Sequence, residues 1–236
     1  IRGRRQRGHE VLAAMLAMAI GLGPMNAAGA AGAAAQPTVI DTPASSDESG
    51  DEPERTGHQH LVREPATLPR LLESAMPGDE FILWPGEYPN IVLRHAVGRA
   101  DAPITIRGLR PESPPRIIGG SWGIRLHGVE HVKLQDLEII GPRIEGVEIA
   151  PADDGRPSRN VELRNIQITD VGDRPGRHGV LVRQAQEIAL DRVSVEGWTG
   201  AAIEVVGTRG IRIEGARIRG IGRGEMIGVR LRAGTR

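Results

Sequence analysis

Along residues 122–232 the apolar side chains come in short alternating runs, apolar-x-apolar, each a few residues long and divided by glycine or polar corners. Alternation of period two marks a strand with one buried face. In "WGIRLHGVEHVKLQDLEIIG" the alternating positions are Ile124 and Leu126, Val132 and Leu134, then Leu137 and Ile139. The phrase returns as "EGVEIAPADDGRPSRNVELRNIQITD", "HGVLVRQAQEIALDRVSVEGWTG" and "AAIEVVGTRGIRIEGARIRG", and opens again at "GVRLRAGTR". No run is long enough to make a hairpin core by itself.

The openings fall on a small residue each time, Gly123, Gly146, Gly179, Ala202 and Gly228, spaced 23, 33, 23 and 26 residues apart. Three short strands per unit at that period predict a solenoid rather than a closed globule. The inward set continues with Val147, Ile149, Val161, Leu163, Ile166 and Ile168, then Val180, Val182, Ile188, Leu190, Val193 and Val195. These are Leu or β-branched side chains, suited to stacking along parallel strands. Before each third strand stands Asp136, Asn165, Arg192 or Gly215. Three of those types tolerate positive φ at a sharp corner, and Arg192 is the misfit. The L-x-x-L-x-L-x-x-N pattern of leucine-rich horseshoes is absent. The expected fold is therefore all-β, a right-handed parallel β-helix.

Upstream the pattern changes. "RGRRQRGHE" is basic, "VLAAMLAMAIGLG" is apolar and "NAAGA" is small, the order of a secretory signal, so residues 1–35 are expected to be a signal peptide. The apolar run is short for a bilayer, so no membrane span is expected in the mature form, which would be secreted or periplasmic. Residues 36–66, with "DTPASSDESGDEPERTGHQH", have the composition of a disordered linker. His58 and His60 within it are weak metal ligands on sequence grounds. The domain then runs over 67–236 and is expected to be truncated at its C-terminus, inside a repeat unit. "TLPRLLESAM" places Leu68, Leu71, Leu72 and Ala75 on one helical face, with Thr67 as N-cap, and predicts a short helix capping the first coil. Phe81 and Leu83 should point inward and Trp84 outward. With no cysteine in the chain, burial and backbone ladders must hold it.

The formal net charge of zero conceals an uneven distribution. From residue 61 onward 25 Lys and Arg face 23 Asp and Glu, and residues 201–236 carry eight Arg against three acids. A basic end favours acidic partners. The glycine-rich "GIGRGE" lacks a nucleotide-binding register, and no nucleic-acid partner is expected.

At "SAMPGDEFILWPGEYPNIVLRHAVGRADAPITIRGLRP" the chain resembles the opening coils of pectate-lyase-like β-helix proteins, nearest to polysaccharide lyase family 6, the chondroitinase B and alginate lyase group. The resemblance implies an exported protein that acts on or binds an acidic polysaccharide. It also implies β-elimination at a uronate, with a cation, commonly calcium, cancelling the carboxylate charge and a lysine and an arginine as base and acid. That pair has no match here. Lys133 lies in an earlier coil than the family's lysine, so the resemblance assigns no catalytic residue. The alternative is a non-catalytic module that binds a glycan or another surface.

Arg217, Arg219, Arg230 and Arg232 should all face outward on neighbouring coils of the basic end, where they could clamp carboxylates or sulfates. Trp122 and Trp198 are the candidates for sugar stacking, or else plugs over a corner of the core. The outward column Arg125, Glu148, Leu181, Glu204, Arg230 holds two carboxylates two coils apart, roughly 9–10 Å on the strand spacing. That is the upper limit for an inverting glycosidase. Leu181 is a poor wall between them, and a solvated face is the plainer expectation. The insertions "APADDGRPSRN" and "DVGDRPGRH" are expected side by side, with Asp153, Asp154, Asp170 and Asp173 as oxygen donors that could hold Ca²⁺.

Overall fold

The computed structural model describes residues 57–220, 227–232 and 234. The signal-like leader, most of the linker and most of "GIGRGE" lie outside the described residues. The elements are β1 (Gln59–Val62), α1 (Leu68–Glu73), β2 (Glu80–Leu83), β3 (Glu87–Tyr88) and β4 (Ile91–Arg94). There follow β5 (Ile104–Gly108), β6 (Arg116–Ile118), β7 (Trp122–His127), β8 (Glu130–Ile140), β9 (Glu145–Ala150) and β10 (Arg159–Thr169). The last are β11 (His178–Arg183), β12 (Gln186–Asp191), β13 (Ser194–Glu196), β14 (Ala201–Val206), β15 (Arg209–Glu214), β16 (Arg217–Arg219) and β17 (Ile227–Arg232).

Every strand pairing is parallel, and each coil pairs with the one before and after it. β4, β7, β9, β11, β14 and β17 stack as a six-stranded sheet, and the other strands form an eleven-stranded sheet. The chain is a parallel β-helix of about six turns, the right-handed solenoid expected from the repeat. Identical inward positions meet in register, as in Ile106–Leu134–Leu163–Leu190 and Ile91–Ile124–Val147–Val180–Ile203. All nine side chains are essentially inaccessible to water. In the sixth turn Ile218, Val229 and Leu231 are exposed.

Local chemistry explains the repeat's punctuation. β8 and β10 are 11 residues long because each runs through its corner, with Asp136 at φ 55° and Asn165 at φ 50°. The Asn165 amide donates to the Asp136 carboxylate across the coils at 2.7 Å. Arg192, the misfit, adopts φ 53° as well, so neighbouring coils impose the corner on a residue that gains nothing from it locally. The small residue opening each repeat has a different cause. A Cβ on Gly123, Gly146 or Gly179 would stand 2.2–2.6 Å from the side chain of Ile139, Ile168 or Val195.

At the N-terminal side β1 pairs with β2, inside the stretch whose composition matches a linker. Val62 is buried, and Val62 O accepts from the Tyr88 hydroxyl at 2.9 Å. Leu68 and Leu72 of α1 are buried, with Leu71 and Ala75 packed against the core. Thr67 is not a side-chain cap, because its hydroxyl donates back to Glu64 O at 2.7 Å. Phe81 and Leu83 point inward, and Trp84 is exposed beneath the Arg63 guanidinium.

Candidate functional site

The outer face of the six-stranded sheet carries the chemistry. In register, one outward column reads Val92, Arg125, Glu148, Leu181, Glu204, Arg230. Beside it Arg94 pairs with His127, and Arg183, Val206 and Arg232 follow on later strands. At the strand entries Trp122, Glu145 and His178 stand in line. Five arginines therefore share this face with Glu148 and Glu204.

The two glutamates correct the expectation of a solvated face. Both point outward as alternation requires, yet they are only 3% and 4% exposed. Their neighbours on adjacent coils bend over them. Arg125 Nε is 2.9 Å from Glu148 Oε2, His127 Nε2 is 3.1 Å from that same oxygen, and Arg183 donates to Oε1. Glu204 receives Arg232 Nε at 2.6 Å, His178 Nε2 at 3.2 Å and Arg230 Nη1 at 3.3 Å. Carboxylates committed to this many cations are anchors for the arginines rather than a hydrolase's acid and base. The arrangement does not support the inverting-glycosidase pair.

Hydrogen bonds fix the tautomer of His178 and admit two for His127. His178 Nδ1 accepts from the Ala201 amide at 2.9 Å, which leaves the proton on Nε2, facing Glu204. His178 is thus occupied at both nitrogens. In His127, Nε2 lies within reach of both Arg125 Nε, at 2.9 Å, and Glu148 Oε2. A proton on Nε2 satisfies the carboxylate, and Arg125 then donates to Glu148 instead. Nδ1 of His127 has no partner among the described residues. Burial first, with nearby arginines, holds both imidazoles below the usual histidine pKa.

Glu145 is the third buried acid on this face. It is 5% exposed, and its Oε2 accepts the His178 amide at 2.7 Å. Burial pushes its carboxyl up to about 7, reinforced by the Glu148 charge and opposed by Arg177 and Arg183. A folded-state pKa above the unfolded value means the folded protein holds more protons between the two. Stability from this group is therefore complete below about pH 4.5 and is lost as pH rises towards 7. Glu145→Gln should cancel that loss, raising stability at pH 8 by roughly 2 kcal/mol relative to the parent while changing it little at pH 4.5. Parallel melts of the two proteins across that range check it, since histidine contributions common to both subtract out.

The four arginines read as one cluster are divided by the fold. Arg230 and Arg232 lie on β17 and join the six-stranded face. Arg217 and Arg219 lie on β16, in the other sheet, where both are exposed and Arg219 Nη1 is 3.8 Å from Glu196. Trp198 is 3% exposed with a buried Nε1 lacking a partner, the plug reading of that residue. Trp122 instead lies half-buried under the Arg125 guanidinium, 4.0 Å from ring centroid to carbon. The insertions do not adjoin: 151–158 follows β9, and 170–177 precedes β11, at opposite ends of the six-stranded face. Asp154 accepts from Arg156, whose Nη2 is 3.0 Å from His95, while Asp170 and Asp173 line a separate cleft with Trp198. Among the described residues no three His, Asp or Glu side chains converge as a cation site. Sequence reading missed Arg94, His127, Glu145 and His178. Their signal was the outward parity beside the Glu148 column, visible once coils are aligned.

No family model matches the sequence, and no curated protein matches it. Solved structures do. An alginate lyase from Paenibacillus sp. str. FPU-7 superposes with TM-score 0.51 at 19% identity, over 68% of this chain and 66% of that one. A mannuronic acid specific polysaccharide family 6 lyase from human gut microbiota gives 0.45 at 13%, over 70% and 51%. The PL6 family alginate lyase AlyGC gives 0.47 at 16%, over 66% and 28%. The chain thus spans less than two thirds of each of these proteins, and its likeness to the Paenibacillus alginate lyase is one of fold.

Proposed function

We propose that the protein binds an acidic, uronate-bearing polysaccharide along the outer face of the six-stranded sheet and cleaves it by β-elimination. One observation carries the reading: Arg94, Arg125, Arg183, Arg230 and Arg232 share a continuous face with the carboxylates of Glu148 and Glu204, and Trp122 lies at its edge. A strand-wide cationic stripe matches the repeating charge of a polyuronate, and guanidinium forks match its carboxylates. The structural similarity to alginate lyases supports the substrate class. Calcium is not needed for this reading, because arginines can cancel the uronate charge.

Titration of the full chain with polymannuronate, polygalacturonate and chondroitin sulfate tests it. Binding should weaken as salt rises, since exposed pairs are screened beyond roughly 8 Å near physiological ionic strength. Arg230→Ala with Arg232→Ala should weaken it by about fivefold or more, taking about 1 kcal/mol as the worth of such exposed contacts. Equal binding to a neutral glucan would remove the electrostatic basis. Binding without unsaturated-uronate absorbance would leave the non-catalytic module.

A further inference from the structure

We infer that His127 is the base that removes the C5 proton of the bound uronate, with Glu148 positioning its imidazole and Arg94 holding the uronate carboxylate. The inference rests on the acidic-polysaccharide reading above. Of the two histidines on the face, His178 has both nitrogens engaged and is a fixed donor. His127 differs. With its proton on Nε2, 3.1 Å from Glu148, it donates to that carboxylate, and its Nδ1 lone pair has no partner among the described residues. A carboxylate that sets the tautomer and orientation of an imidazole is a general device for making the other nitrogen a base.

Arg94 supplies the complementary element. It pairs in register with His127 on the neighbouring strand, its side chain is exposed, and no ion-pair partner faces it among the described residues. It also lines a cleft of about 500 Å³ between α1 and β4, walled by Pro69, Leu72, Val92 and Val97 with Glu73, Asn90 and His95 as polar members. A sugar ring at the mouth of that cleft would set its carboxylate on Arg94, whose in-register neighbour on β7 is His127.

The step balances without further reagents than water. His127 Nδ1 takes the C5 proton, and the C5–H electron pair becomes the C4=C5 double bond. The C4–O4 bond breaks, its electrons go to O4, and water protonates O4. The imidazolium then returns its proton to solvent. Arg94 stabilises the charge that develops on the carboxylate as C5 loses its proton. The groups facing His127 are Arg94 from β4, Arg125 from its own strand and Glu148 from β9, with Arg183 of β11 reaching Glu148.

The test uses the full chain with polymannuronate, polygalacturonate and chondroitin sulfate, measuring binding by calorimetry and turnover by unsaturated-uronate absorbance. His127→Ala should keep affinity within about threefold and lose turnover by about a thousandfold, the scale of removing a general base. Glu148→Gln should lower turnover and move the acid limb of the pH profile to lower pH, because a cationic surround then acts on His127 without its carboxylate. A merely structural Glu148 would leave that limb in place. Turnover by a folded His127→Ala at the parent rate, or an acid limb unmoved by Glu148→Gln, overturns the assignment while the binding reading stands. A parent that binds but does not cleave overturns the assignment too. A parent that binds none of the three polymers overturns the reading beneath it.

Discussion

Leu163→Asp should abolish the cooperative fold of the middle coils. Leu163 is fully buried and stacks directly on Leu134 before it and Leu190 after it. The substitution deletes a core side chain and introduces a carboxylate with no cation inside the solenoid, together about 5 kcal/mol or more. In a solenoid each coil is stabilised by its neighbours, so a defect here separates the coils on either side rather than relaxing locally. Gln167→Asp is the matched control, four residues along the same strand with its side chain exposed. It should change stability by less than about 1 kcal/mol. Urea melts followed by circular dichroism compare the pair. Alternation has period two, so a register displaced by one residue would exchange the two outcomes.

The register was legible in the sequence because the physical constraints on it are local and repeated. Each coil must bury alternate residues, and Gly123, Gly146 and Gly179 must leave room for Ile139, Ile168 and Val195. Three independent columns therefore agree on one alignment. The corner column was legible too, and only Arg192 needed the structure to show that a neighbouring coil can force positive φ on an ordinary residue.

The site was less legible, and the reason is geometric. Grouping Arg217 and Arg219 with Arg230 and Arg232 treats the basic end as one place, whereas one coil sends its successive strands to different faces. Parity showed that Glu148 points outward. It could not show burial, which comes from long side chains leaning in from the coils on both sides. His127 and Glu145 carry no motif of their own. They acquire meaning only when register sets Arg94 and His127 side by side, and Glu145 between Trp122 and His178.

Glu148→Ala should be the most damaging single change on this face. The carboxylate is 3% exposed and receives Arg125 and His127 from β7 and Arg183 from β11. Its removal leaves Arg125, whose side chain is only 22% exposed, without an anion, and removes the acceptor for His127 Nε2. Breaking a buried ion pair from one side costs about 3 kcal/mol, more than the pair itself contributes, because the remaining charge stays desolvated. Arg183 is half-exposed and can turn to solvent, so most of the loss should belong to Arg125 and His127. Adding Arg125→Ala to Glu148→Ala should therefore restore part of the lost stability, whereas adding Arg183→Ala should restore little. The two double-mutant cycles, measured by denaturant unfolding, compare those couplings directly. Equal couplings for both arginines would show that Glu148 is not the buried anchor of this face.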